Sequence, residues 1–183
     1  DTFFIASHIN PDGDSIGSTL ALALALKNKG KVVYVLKNDE IPADFTFLPG
    51  SELFQEYNKK MGPIKNFITL DSSDPDRLGC NKSILDVAEN IINIDHHISN
   101  TNFGTINVVN PFSSATGELI FDIFKQIGIC IYKNIAINIY TAISTDTGNF
   151  TYESVTSKTH GIVAELIECG VNIGIVNRNL YEN

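Results

Sequence analysis

The stretch from Phe3 to Leu26, FFIASHINPDGDSIGSTLALALAL, decides the fold. Phe3 to Ala6 is a short apolar run. Polar residues follow, with Pro11 and Gly13 among them, and the chain then becomes mostly apolar from Ile16 to Leu26, so the pattern reads as strand, loop, helix. Asp14 or Ser15 is placed to cap that helix, Lys27 and Lys29 suit its C-terminal dipole, and Gly30 is placed to end it. Its apolar residues run most of the way round, which predicts burial on all sides.

Working outward, Val32 to Leu36, Phe67 to Leu70, Ile91 to Ile94 and Ile106 to Val109 are further short β-branched or aromatic runs bounded by polar residues. From Ser113 onward the pattern turns helical, with helices expected near Thr116 to Gln126, Asn134 to Thr145 and Ser157 to Cys169. Strands alternating with helical segments predict an α/β fold: a mostly parallel sheet of about five strands flanked by helices on both faces. The 183 residues suit one domain, and the hydrophobic and charged fractions of 43% and 19% exclude a disordered chain. Phe3, Phe4, Tyr34, Phe67 and the stripe from Leu20 to Leu26 are assigned to the core.

The formal charge of −8 and the scattered Lys and Arg residues disfavour duplex DNA. Aspartates gathered around divalent cations are a second source of such an excess, and two cations would halve it. Cys80, Cys130 and Cys169 show no C-x-x-C spacing, so neither a disulfide framework nor a zinc finger is indicated. They are expected to be buried in a cytoplasmic protein. No apolar run approaches the roughly 18 to 20 residues that span a bilayer, so no membrane partner is expected. The first residue is Asp rather than Met, which suggests a segment of a longer protein.

Four polar clusters carry the chemistry. His8, Asp12 and Asp14 offer one nitrogen and two carboxylates in the loop after the first strand, where open α/β sheets bind ligands; the plainer reading is a capped turn with solvated aspartates. Asp71 follows another strand, with Asp74 explained equally well as a helix cap before Pro75. Asp95-His96-His97 is harder to dismiss, because adjacent imidazoles at a sheet edge serve no packing need, and a neighbouring Asp can fix a histidine tautomer. Asp146 ends an apolar helical stretch, where a negative charge opposes the helix dipole. Nitrogen and carboxylate donors without thiolate favour Mn²⁺, Mg²⁺, Fe²⁺, Co²⁺ or Zn²⁺, and there are too many donors for one small cation.

The blocks SHINPDGDSIGS (7–18), LDSSDPDR (70–77), IDHHISN (94–100) and STDTGNF (144–150) resemble, in order, motifs one to four of the DHH phosphoesterase superfamily. Their wording is most similar to the NrnA-like branch, bacterial oligoribonucleases that also remove the 3′-phosphate of 3′-phosphoadenosine 5′-phosphate. The resemblance implies that residues 1–183 form the DHH catalytic domain, without the smaller C-terminal substrate-binding domain. It implies two divalent cations, manganese first, with magnesium, cobalt or iron as alternatives. One would be held by His8, Asp12 and Asp71, the other by Asp14, Asp71, His96 and Asp146, with Asp71 and an activated water shared between them. His97 would face the substrate phosphate, Asp95 would support the histidines, and Asp71, Asp95 and His97 would form the catalytic set.

Arg77, Ser114 and Thr116 are candidates for holding phosphate oxygens, with a surface charge and an ordinary helix cap as equal alternatives. The expected partner is a small nucleotide or short RNA, and a homodimer is left open. Two rivals are a DHH phosphohydrolase acting on a cyclic dinucleotide or pyrophosphate, and a non-catalytic module that binds nucleotide or metal. His160, without an acidic partner, is expected at the surface.

Overall fold

The computed structural model describes residues 1–182. Its sheet is parallel throughout and has six strands: β1 (Thr2–Ser7), β2 (Val32–Leu36), β3 (Phe54–Gln55), β4 (Asn66–Leu70), β5 (Asn90–Asp95) and β6 (Ile106–Val109), in the order β3-β2-β1-β4-β5-β6. The count corrects the expected five. The extra strand, β3, has only two residues, beside Val35 and Leu36 of β2, too few to show a period of two in the sequence. The chain reverses its direction of travel across the sheet between β1 and β4, the switch point outside which ligands bind in doubly wound folds.

Side chains alternate between two buried faces. Ile5, Ile68, Leu70 and Ile94 pack with the helices, while Phe4, Ala6, Leu36 and Phe67 pack on the other side with Ile64, Leu78 and Ile84. This double burial explains why the strands read as nearly continuous apolar runs. The helices are α1 (Gly13–Asn28), α2 (Thr116–Gln126), α3 (Lys133–Asp146), α4 (Ser157–Glu168) and α5 (Ile173–Tyr181). Across the opposite face, Pro75–Asp86 forms 3-10 turns, broken at Gly79. α5, capped by Asn172, went unforeseen because Gly174 and the polar Asn177 to Asn179 interrupt its apolar spacing.

α1 is capped by Asp12 rather than Asp14 or Ser15: Asp12 Oδ1 accepts from Ser15 N and Ser15 Oγ accepts from Asp12 N, both at 3.0 Å. Asp14 is thereby freed for the site. α1 lies so close to α3 that a Cβ on Gly17 would stand 2.5 Å from the Asn138 carbonyl oxygen. Gly17→Ala is therefore expected to cost about 1–3 kcal/mol by overpacking, lowering the melting temperature by roughly 3–10 °C. A thermal melt that matches wild type would show that the two helices can part freely.

The cysteines depart from expectation, since Cys80 and Cys130 are exposed and Cys169 is half-buried. Cys130 lies on the segment after α2, and Cys169 caps the C-terminus of α4. His160 is exposed, as expected, with its ring 5.9 Å from that of Phe150. Among the described residues, no single helix is long and apolar enough to cross a membrane.

Candidate metal centre

The four clusters meet at the C-terminal edge of the sheet. His8 follows β1, Asp71 follows β4, Asp95 ends β5 with His96 and His97 beyond it, Asp14 opens α1, and Asp146 closes α3. Three overlapping sets have ligand atoms within 4.8 Å of one another and could each hold a cation: His8, Asp12 and Asp71; Asp14, His96 and Asp146; and Asp71, His96 and His97.

Asp71 sits between the first two sets. Its Oδ2 is 3.4 Å from His8 Nε2, and its Oδ1 is 3.7 Å from His96 Nε2. The residue adopts φ 56°, a left-handed conformation that aspartate tolerates better than most residues but that still stores strain. The strand cannot continue through it, so the carboxylate turns back over the sheet edge. Its backbone N–H remains anchored on the Ile94 carbonyl at 3.0 Å.

Both proposed ligand histidines present the same nitrogen. His8 Nδ1 bonds the Ile9 carbonyl at 2.7 Å and His96 Nδ1 the Ser113 carbonyl at 3.2 Å. A carbonyl can only accept, so each Nδ1 carries the proton, and Nε2 is turned toward the carboxylates. His8 Nε2 lies 3.6 Å from Asp12 Oδ2, and His96 Nε2 lies 3.3 Å from Asp146 Oδ2 and 3.8 Å from Asp14 Oδ2.

Asp14 is buried and held from behind. Its Oδ2 accepts from Thr116 N at 2.6 Å, and its Oδ1 accepts from Gly117 N and Ser18 Oγ, each at 2.9 Å. The N-terminus of α2 thus already holds an anion, the protein's own. Thr116 Oγ1 donates to Asp71 Oδ1 at 2.9 Å, and Ser114 Oγ donates to Glu118 at 2.7 Å. Ser114 and Thr116 are 2% and 0% exposed, and both hydroxyls are engaged within the protein, Thr116 on Asp71 in the acidic cluster and Ser114 on Glu118 beside it. Arg77 is exposed; its carbonyl accepts from Ile9 N at 2.8 Å and ties the 3-10 segment to the His8 loop. Asp74 caps that segment.

Among the described residues, no Lys or Arg is paired with Asp12, Asp14, Asp71 or Asp146. The electrostatic consequence is direct. Burial, with the charges of Asp71 and Asp146, pushes the Asp14 carboxyl well above the usual carboxylate range. Partial burial raises Asp146 to about 6, opposed by His96 and reinforced by Asp71 and Asp12. For His8, burial works against protonation, but the Asp12 and Asp71 carboxylates outweigh it and push the imidazole to about 10. Crowded, buried carboxylates with protons as their only counter-charge are a donor set suited to divalent cations.

Near neutrality His8 must release a proton to ligate a cation, and below pH 6 Asp146 must release another. With the raised Asp14 carboxyl adding to the proton release, apparent Mn²⁺ affinity is therefore expected to weaken by at least about tenfold per unit from pH 8 to 6.5 and more steeply below 6. Calorimetric titration in buffers of different ionisation enthalpy measures both the affinity and the released protons. A pH-independent affinity would show that His8 and Asp146 are not ligands.

His97 differs from His96. Its Nδ1 is 2.7 Å from Asp95 Oδ1, the same nitrogen is 3.7 Å from Asp71 Oδ1, and its side chain is 40% exposed. The hydrogen bond to fully buried Asp95 occupies Nδ1 and raises the His97 pKa, while Asp95 itself is held low: burial opposes its charge, but His97 and Asn100 outweigh that. Two asparagines that sequence reading passed over, Asn93 and Asn100, complete this corner. Asn100 was visible inside the third block, but nothing local marked its partners.

The chain is 37% identical over 170 residues to the bifunctional oligoribonuclease and PAP phosphatase NrnA of Thermus thermophilus, covering 93% of this chain and 51% of that protein. A crystal structure of an exopolyphosphatase-related protein from Bacteroides fragilis superposes with a TM-score of 0.91 at 30% identity, over 100% of this chain and 57% of that one. A putative family II inorganic pyrophosphatase from Methanococcus jannaschii shares the fold, with a TM-score of 0.72 at 20% identity over 97% of this chain and 60% of that one. The chain thus spans about half the length of the relative and somewhat more than half of the structures it matches. The family model described as DHH family, N-terminal domain, matches residues 2–145. With the Asp95-His96-His97 triplet at the meeting point of its sheet edge and helix ends, the chain belongs to the DHH family.

Proposed function

We propose that this chain is the catalytic part of a metal-dependent phosphoesterase, acting on short oligoribonucleotides and on the 3′-phosphate of 3′-phosphoadenosine 5′-phosphate. The observation that carries the reading is the division of donors about Asp71, whose two oxygens face His8 on one side and His96 on the other. His8, Asp12 and Asp71 would hold one cation, and Asp14, Asp71, His96 and Asp146 a second. Manganese suits this nitrogen and oxygen set, as do magnesium, cobalt and iron. Paired divalent cations supply Lewis acidity at the phosphoryl oxygens and a water of lowered pKa for in-line attack.

The protein's own groups do the rest. Thr116, Gly117 and Ser18 fix the Asp14 carboxylate, so the site is organised before substrate arrives. His97, whose pKa is raised by the hydrogen bond to Asp95, would donate from Nε2 to a phosphate oxygen. Exposed Arg77 at the edge of the His8 loop offers a second cationic donor. Similarity to the Thermus enzyme over nearly all of this chain supports the choice of substrate.

The test is a substrate panel given to the full-length protein with Mn²⁺ and with chelator. Adenosine 5′-monophosphate plus phosphate is expected from 3′-phosphoadenosine 5′-phosphate, mononucleotides from RNA dimers to pentamers, and neither with chelator. Turnover confined to a cyclic dinucleotide or pyrophosphate would overturn the substrate. A metal-loaded protein inert toward every compound would overturn the reading and leave a binding module.

A further inference from the structure

Asn93 and Asn100 lie behind the reacting groups. Asn93, inside β5, is fully buried, and its Nδ2 donates to Thr69 Oγ1 at 3.0 Å and to the Ser72 carbonyl at 3.1 Å. Asn100, three residues past His97, donates its two Nδ2 hydrogens to Asp95 Oδ2 at 2.5 Å and Asn93 Oδ1 at 2.8 Å, with the Ser72 carbonyl a longer, shared contact at 3.3 Å. Its own backbone N–H is bonded to the His97 carbonyl at 3.1 Å, and its Oδ1 accepts from Asn102 N at 2.7 Å.

The geometry matters because the Asp95 carboxylate is gripped at both oxygens, Oδ1 by His97 and Oδ2 by Asn100. A carboxylate held at one oxygen can swing about its terminal torsion, which is broad and roughly two-fold, and would take the His97 ring with it. Held at both, it has one plane, and so does the imidazole bonded to it. The Asn100 amide is in turn oriented by Asn93, a residue whose burial in a strand would suit an apolar side chain unless its hydrogen bonds were needed.

We propose that Asn100 is a positioning residue for His97, acting through Asp95 and braced by Asn93. This rests on the reading of the site as a hydrolytic centre with His97 toward the phosphate. Asn100 touches neither substrate nor cation; it sets the angle at which His97 Nε2 meets a phosphate oxygen.

The test pairs Asn100→Leu, which keeps the size and removes the donor, with His97→Ala in a double-mutant cycle on the full-length protein. Alone, Asn100→Leu is expected to lower kcat about thirty- to a hundredfold, leaving KM within about threefold and bound Mn²⁺ unchanged. In the His97→Ala background the same substitution is expected to cost no more than about threefold, because the group it positions is gone. Effects that multiply across the cycle would overturn the proposal.

A second measurement needs no turnover. In the Mg²⁺-loaded protein with ¹⁵N-labelled histidine, wild type is expected to show a downfield, slowly exchanging Nδ1 proton for His97, and Asn100→Leu is expected to lose it. An unchanged resonance would overturn the proposal even if the substrate reading failed. Asn100→Ser, which shortens the side chain but stays polar, replaces Asn100→Leu if the latter does not fold.

Discussion

Asp71→Asn is expected to lower kcat by about a thousandfold or more while leaving the fold intact. The substitution preserves size and still tolerates the left-handed backbone at φ 56°, so the strand end and its Ile94 anchor should survive. What changes is charge and ligand strength at the one side chain with an oxygen toward each half of the donor set. An amide presents one oxygen and one NH₂, so it cannot serve two cations. Several kcal/mol of electrostatic stabilisation depend on the pair of metals, and each 1.36 kcal/mol is about a tenfold change in rate. Steady-state hydrolysis with Mn²⁺, alongside a thermal melt within a few degrees of wild type, checks this; near-normal turnover would remove Asp71 from the bridging role.

His97→Ala should fall next in severity, with kcat reduced about a hundred- to a thousandfold, the size expected for loss of one aligned donor at a charged transition state. Metal content is the discriminating readout. His97 belongs to one of the three sets that could hold a cation, but its Nδ1, 3.7 Å from Asp71 Oδ1, is already engaged by Asp95 at 2.7 Å. Bound Mn²⁺ is therefore expected to stay at the wild-type level. Loss of a full equivalent would make His97 a ligand and reverse the assignment between it and a substrate-facing donor.

Much of the fold was legible because the inner parallel strands β1, β4 and β5, and β2 beside them, are largely buried and so appear as short apolar runs, while the exposed edge strand β6 still shows its β-branched residues Ile106, Val108 and Val109. β3 escaped because a pairing of two residues has no period, and α5 because its apolar side is interrupted. The cap of α1 lies two or three residues before the expected Asp14 or Ser15: Asp12, Asp14 and Ser15 all have capping chemistry, and the choice among them depends on Asp14 having distant partners. Thr116 N and Asp14 are 102 residues apart in sequence. The same separation hid the true setting of α2, whose N-terminal amides looked free for phosphate but are filled from across the site. The donors themselves were readable from residue type and from their position after strands, whereas Asn93 and Asn100 were not, since asparagine is common in loops and only the folded chain shows where its amide goes.

Under the proposed function, this sheet edge would hold two divalent cations about Asp71. A titration of the metal-free protein with Mn²⁺ at pH 8, followed by electron paramagnetic resonance, counts the ions and reports whether they are magnetically coupled. Two equivalents per chain with a coupled signal are expected. A single equivalent, or two that behave as isolated ions, would contradict the shared centre.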